Sequence, residues 1–142
     1  VTSISANYAG GPVAVGAGYQ IEELGGTNRK YTRLSASYDL GAAVVKGLYG
    51  NVKSPASAKT SEYSIGVDVP VGGALIASAG YGYSKDNTTA GGEKRTGFTL
   101  GAMYLLSKRT DMYVGVTDWD GKRGGTKTSG NTKYGFGMRH SF

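Results

Sequence analysis

Residues 61–84 read SEYSIGVDVPVGGALIASAGYGYS, and their alternation of apolar and polar side chains decides the fold class. Apolar residues occupy every second position from Tyr63 to Val69 and again from Leu75 to Tyr83. A period of two is that of a β-strand with one apolar face. Residues 70–73 between the two runs, PVGG, have the composition of a tight turn. This stretch therefore predicts a β-hairpin whose two faces differ in polarity.

The same alternation recurs along the chain and predicts nine strands with no helix between them. The predicted strands are about 1–9, 13–23, 31–40, 42–52, 61–69, 74–84, 96–107, 111–119 and 132–142. We expect a single all-β segment over residues 1–142, built as an antiparallel up-and-down meander. The last-but-one strand is the least regular of the set, with Met112, Val114 and Val116 as its plausible apolar side.

The predicted connections alternate between short and long. Short turns are expected at 10–12, 41, 70–73 and 108–110, and long polar loops at 24–30, 53–60, 85–95 and 120–130. Short turns at one end and longer loops at the other are typical of outer-membrane barrels. The rhythm therefore favours a transmembrane β-barrel over a soluble one.

Composition excludes several classes of site. Among 142 residues there is no Cys and one His, so thiol nucleophiles, disulfides and two-His metal sites are ruled out. No apolar run approaches the roughly 20 residues of a membrane helix. We therefore expect no catalytic residue, no metal and no cofactor. We also expect no nucleic-acid partner, because the tyrosines share a face with Leu and Val and not with Lys and Arg.

The placement of aromatic residues indicates which face meets lipid. Aromatic side chains occur near the predicted strand ends, where an aromatic girdle of a membrane barrel would lie: Tyr8, Tyr19, Tyr38, Tyr49, Tyr63, Tyr83, Tyr104 and Trp119. The opposite face is mostly Gly, Ser, Thr and Ala. We therefore expect the aromatic face to contact lipid and the other face to line water. A soluble β-barrel or sandwich with the same alternation remains an alternative.

Charged residues fall into a wall set and a mouth set. The predicted pore-lining residues are Arg33, Lys46, Lys133, Arg139, Glu22, Asp39, Glu62 and Asp68. The predicted basic residues of the outer mouth are Arg29, Lys30, Lys53, Lys59, Lys94, Arg95, Lys122, Arg123 and Lys127. A mouth with one sign of charge concentrates counter-ions, which predicts a mild anion preference. Alternatively, these basic loops bridge lipopolysaccharide phosphates or are simply solvated.

The odd number of predicted strands bears on whether they can form a closed barrel by themselves. Bacterial single-chain barrels have an even number of strands, and unpaired strand edges are not tolerated in lipid. We therefore expect these strands to be the C-terminal portion of a larger barrel. A small closed barrel of eight to ten strands is the alternative.

Three motifs carry a resemblance to a known family. Residues 134–142, YGFGMRHSF, resemble the closing strand of Gram-negative general porins. Residues 104–110, YLLSKRT, followed by Tyr113, resemble a strand–turn–strand motif of the β-proteobacterial branch of that family. Residues 8–20, YAGGPVAVGAGYQ, are similar to another hairpin of the same branch.

The resemblance implies a homotrimer of sixteen-stranded barrels in the outer membrane of a Gram-negative bacterium, each holding a water-filled pore for small hydrophilic solutes. It implies that this chain corresponds to the C-terminal half, so the inward-folded third loop and the arginine cluster facing it lie outside the chain. It also implies that the barrel-assembly machinery reads the last strand through Tyr134, Phe136, Met138, His140 and Phe142.

The expected function is passive diffusion of small polar or anionic solutes through an outer-membrane porin. The expected partners are outer-membrane lipid, lipopolysaccharide, the solutes, the assembly machinery and further copies of the protein. The alternatives are a plugged outer-membrane barrel with a structural or adhesive role, a barrel enzyme and a soluble binding module.

Overall fold

A computed structural model describes residues 1–54, 59–87 and 92–142, which form one antiparallel sheet with the strands in chain order. The strands are β1 (Thr2–Gly10), β2 (Val13–Leu24), β3 (Thr27–Asp39), β4 (Val44–Lys53), β5 (Lys59–Gly72), β6 (Leu75–Asp86), β7 (Lys94–Ser107), β8 (Thr110–Arg123) and β9 (Thr126–His140). The predicted all-β antiparallel meander is confirmed. Among the described residues, no helix is long and apolar enough to span a bilayer.

The strand register keeps the two faces separate across the whole sheet. One row of directly paired residues is entirely apolar: Val13, Tyr38, Val45, Val67, Ala79, Leu100, Val116 and Tyr134. The next row, one residue along, is small or charged: Ala14, Ser37, Lys46, Gly66, Gly80, Thr99, Thr117 and Lys133. We call the side of the first row the apolar face and the side of the second row the polar face.

The apolar face has no protein layer covering it. In the described part of the chain no hydrophobic side chain is buried, and Ile65, Leu100 and Phe136 are 60%, 51% and 90% exposed. A water-soluble protein seldom leaves a continuous apolar surface of this extent uncovered. The sheet therefore requires an apolar phase on one side.

The sheet is open at both edges. Within the described residues β1 pairs only with β2, and β9 pairs only with β8. The alternative of a small barrel closed by these strands alone is therefore not what the structure contains.

The prediction of long loops is wrong for two of the four segments. Residues 24–30 and 120–130 belong largely to strands, which continue to two-residue turns at Gly25-Gly26 and Gly124-Gly125. Both glycines of each turn have positive φ, between 58° and 86°, which is the backbone of a tight hairpin turn. A strand end that lies in water on both faces can be polar throughout, so polar composition did not mark a loop.

The remaining two predicted loops are shorter than expected. Lys59 already belongs to β5, and residues 85–86 and 94–95 belong to β6 and β7. The centres of these predicted loops, 55–58 and 88–91, lie outside the described residues. We call the end with these four connections the loop end, and the end with the turns after Gly10, Asp39, Gly72 and Ser107 the turn end.

Gly125 offers a test of the hairpin geometry. Its φ is 86°, and a Cβ added there would meet no atom within 4 Å, so a substitution tests backbone conformation alone. We expect Gly125→Val to lower the free energy of unfolding by about 1–2 kcal/mol, the cost of a left-handed backbone for an L-residue. Urea unfolding measures this difference. Gly125→Asn is the control, because Asn tolerates this region, and equal losses in both variants would contradict the assignment.

Candidate pore wall

The polar face is concave and lined by small side chains. A depression of about 610 Å³ lies over the middle strands, with Gly16, Ser35, Lys46, Ser64 and Gly82 among its lining residues. Glycine and serine take up little space, so the backbone itself forms much of the surface. Such a wall leaves room for water and small solutes beside it.

Two ion pairs span neighbouring strands on this wall. Lys46 pairs with Asp68, whose Oδ1 also accepts a hydrogen bond of 2.8 Å from Ser78 Oγ. Near the turn end, Arg139 donates from Nε and Nη2 to Asp111 Oδ2 at 2.9 and 2.8 Å. Sequence reasoning placed Lys46, Asp68 and Arg139 on the wall but missed Asp111, which is 10% exposed. The available signal was the alternation along the strand, which places Asp111 on the side opposite to the predicted apolar residues Met112 and Val114. In the structure it lies directly opposite Arg139.

Other predicted wall residues occupy separate positions. Glu22 Oε2 accepts a hydrogen bond of 3.0 Å from Tyr31 Oη. Glu62 lies against Gly50, where a Cβ would come within 3.1 Å of its Oε2. Asp39 sits at the turn end and accepts a hydrogen bond of 2.7 Å from the Gly41 N–H, so it caps a turn.

The polar face carries basic and acidic side chains in similar numbers, but only some of the basic ones have an ion-pair partner. Among the described residues, no carboxylate lies within ion-pair distance of Arg29, Arg33 or Lys133. Arg33 lies between Gly18 and Gly50, and Lys133 lies opposite Thr117. In the described part of the chain these three cations are therefore not neutralised by an ion pair.

A compact polar cluster forms around Glu93 at the loop end. Arg95 donates to both carboxylate oxygens, from Nε at 3.2 Å and Nη2 at 3.3 Å, and Ser129 Oγ donates at 3.2 Å. Arg123 Nη2 lies 3.9 Å from Oε2. The hydrogen bond from Arg95 is the main reason that the pKa of the Glu93 carboxyl lies below its ordinary value, against a smaller opposing effect of desolvation. Glu93 therefore stays ionised and holds both arginines near it.

Trp119 is not part of the lipid-facing girdle as predicted. It pairs with Gly97 on the polar face, and the Arg95 guanidinium carbon lies 6.0 Å from its ring centroid, over the ring. Tyr113, on the same strand, lies over Gly137 of the polar face. The strand β8 has large residues on both faces, so composition alone did not decide its orientation.

The predicted mouth residues all lie toward the loop end but divide between the two faces. The arginines are on the polar face: Arg29, Arg95 and Arg123. The lysines are on the apolar face: Lys30, Lys53, Lys59, Lys94, Lys122 and Lys127. Only the arginines can therefore line a mouth, which corrects the prediction that the whole set does so. The error came from assigning these residues to loops, where period-two alternation has no meaning.

The C-terminal strand presents its apolar residues at the open edge of the sheet. Tyr134, Phe136 and Met138 share the apolar face and are 82%, 90% and 65% exposed. His140 Nδ1 lies 2.8 Å from Thr110 Oγ1, and its ring packs edge-on against Phe142 with centroids 5.0 Å apart.

Comparison with known proteins agrees with this two-faced sheet. The family described as Gram-negative porin matches residues 1–140. Outer membrane porin protein 32 of Delftia acidovorans is 33% identical over 114 residues, which cover 75% of this chain and 32% of that protein.

Two solved structures extend the comparison to three dimensions. An anion-selective porin from Comamonas acidovorans is 28% identical, with a TM-score of 0.78 over 97% of this chain and 48% of the porin. A trimer form of OmpT from Vibrio cholerae has a TM-score of 0.73 over 97% of this chain and 54% of OmpT, and at 18% identity it supports the fold alone. The chain thus spans about half the length of these structures.

These findings bear directly on the location and family expected from the sequence. The family and the Delftia relative confirm the outer membrane of a Gram-negative bacterium as the location. An uncovered apolar face is what the wall of a transmembrane barrel presents to lipid. The chain belongs to the Gram-negative porin family.

Proposed function

We propose that the protein is a passive diffusion channel for small hydrophilic solutes, with no catalytic step. The observation that carries this proposal is the pairing of an uncovered apolar face with a concave polar face of small side chains. A soluble binding module would need a second layer over the apolar face. A plugged structural barrel would need long side chains filling the polar side, where glycine and serine are frequent.

We further propose that these nine strands form part of a larger closed barrel. The open edges of β1 and β9 leave backbone groups that must pair inside a membrane. Further strands between these edges would pair them, and the porin resemblance implies a total of sixteen. The same resemblance supports a homotrimer, reading of the C-terminal strand by the assembly machinery, and contacts with outer-membrane lipid and lipopolysaccharide.

A mild anion preference follows from the partners of the wall charges. The carboxylates of Asp68, Glu93 and Asp111 form ion pairs with Lys46, Arg95 and Arg139, which reduces their pull on mobile cations. Arg29, Arg33 and Lys133 have no such acidic partner among the described residues. Free cations beside a water-filled path raise the local concentration of anions.

Conductance across a planar bilayer tests the channel directly. We expect the intact protein to give discrete current steps that are linear in voltage, because a rigid water-filled pore has no gate or turnover. The same protein denatured before addition is the control. Silent insertion of folded protein would contradict the proposal and favour the plugged structural barrel.

Replacing Glu93 by Gln tests the source of selectivity. Loss of this carboxylate frees Arg95 and Arg123 toward the lumen, so the anion-to-cation permeability ratio should rise by about twofold, the effect of one unit charge at roughly 8 Å in water that is screened by salt over a similar distance. Reversal potentials in a salt gradient measure the ratio. Glu23→Gln is the matched control, because Glu23 pairs with Asn28 on the apolar face. An equal change in both variants, or a fall in Glu93→Gln, would contradict the assignment.

A further inference from the structure

Two large apolar side chains, Leu48 and Trp119, lie on the polar face, against the general pattern of that face. They belong to one row of directly paired residues, in which Ser64, Gly82 and Gly97 lie between them. Leu48 is 36% exposed, so its neighbours on the wall leave part of its side chain uncovered. A solute with an apolar part would cover this surface and remove it from water.

A hollow of about 350 Å³, which we call the trough, lies between these two side chains. Its floor is open at Gly82, where an added Cβ would meet no atom within 4 Å. A Cβ added at Gly97 would lie 2.8 Å from Trp119 Cβ, so glycine at this position lets the tryptophan form one side of the trough. The volume is within the range of sites that bind small organic ligands.

Two opposite charges line the trough on the side of the loop end. Glu62 and Arg95 lie in the next row of paired residues, with Ser84 between them. Among the described residues, no cation lies within ion-pair distance of Glu62. The Arg95 side chain contacts Glu93 but is still 58% exposed. Two strand spacings separate the two charged residues, roughly 10 Å, and the small Ser84 leaves the space between them open to a solute.

We propose that the trough binds zwitterionic solutes with a hydrophobic side chain, the chemistry of an aromatic α-amino acid. The ammonium group of the solute lies toward Glu62, its carboxylate toward Arg95, and its ring between Leu48 and Trp119. This inference rests on the proposed function, because a solute reaches the trough only if the polar face borders a water-filled path. It adds a class of solute that an anion preference does not select, since the net charge of a zwitterion is zero.

The charges of the trough favour a zwitterion over a solute of either single sign. A solute with a carboxylate alone is repelled by Glu62, and one with an ammonium alone is repelled by Arg95. An aromatic ring gains further from edge-on or offset contact with the Trp119 indole, beyond the apolar area that it covers. A small zwitterion without a ring makes the charge contacts only, and we expect it to bind more weakly.

The fluorescence of Trp119 tests the proposal, because Trp119 is the only tryptophan of the chain. Intact folded protein in neutral detergent would be titrated with L-phenylalanine, with phenethylamine, which lacks the carboxylate, and with 3-phenylpropanoate, which lacks the ammonium. We expect a saturable change of emission with L-phenylalanine, at an affinity about fivefold above that of either analogue, the upper end for a partly exposed ion pair.

Two controls and three outcomes complete this test. Free glycine should leave the emission unchanged at the same concentrations, and a parallel titration of Trp119→Phe subtracts any change that arises elsewhere. Equal affinity for the three aromatic ligands would show that the ring alone is recognised, and it would overturn the proposal. Tighter binding of either analogue, or no saturable change with L-phenylalanine, would overturn it as well.

Glu62→Gln separates recognition of charge from a structural role. Loss of the carboxylate should weaken L-phenylalanine binding about fivefold and strengthen 3-phenylpropanoate binding, because the repulsion of that anion is removed. A purely structural role would move both affinities in the same direction and would overturn the assignment. Glu23→Gln is the matched control, since it removes the same charge from the apolar face and should change neither affinity.

Conductance of the same preparation distinguishes this inference from the proposed channel. Protein that conducts but gives no saturable signal with L-phenylalanine refutes the trough and not the channel. Protein that binds L-phenylalanine at Trp119 but does not conduct refutes the channel and not the trough.

Discussion

A strand in lipid must pair every backbone N–H and C=O group, because the hydrocarbon offers no other partner. This constraint explains why the chain consists of long strands in simple succession, each hydrogen-bonded to the next. It also explains why no hydrophobic core forms among the described residues. The apolar side chains face outward, and the inside of the curved sheet is left to small and charged residues.

The same two-faced geometry organises the charges. Arg95 and Arg123 gather around Glu93 on the polar face, with Trp119 beside them. The lysines of the same end lie on the apolar face, beyond the paired tyrosines Tyr49, Tyr63 and Tyr83. Guanidinium groups form planar, multidentate contacts with carboxylates, whereas an ammonium on a long flexible stem suits a lipid surface. One strand register thus sorts the arginines and the lysines of this end to opposite faces of the sheet.

The fold was predictable because alternation is a strong signal where one face is uniformly apolar. The alternation in residues 61–84 already separates the apolar and polar faces of a hairpin. In the structure, the pairing of β5 with β6 keeps the same two faces apart. The strand ends were not predictable in the same way, since polar residues on both faces at 24–30 and 120–130 look like loops. Only the glycine pairs at 25–26 and 124–125 carried a sign of the tight turns.

The site was partly predictable for a related reason. Lys46, Asp68 and Arg139 could be placed on the wall by counting along their strands, but their partners depend on the register between strands. Trp119 and Tyr113 were ambiguous because β8 is bulky on both sides, and Gly97 and Gly137 across from them are what make room. Cross-strand register is set by turn lengths and bulges, which composition does not reveal.

Accessibility of alternate residues in β5 tests the central claim most directly. The chain has no cysteine, so single cysteines at Ser64, Ile65, Gly66 and Val67 can carry a fluorescent label without background. In the reconstituted protein, we predict that brominated lipid quenches the label at 65 and 67, and that a water-soluble quencher acts at 64 and 66. Quenching without a period of two, or with the opposite phase, would contradict the two-faced wall.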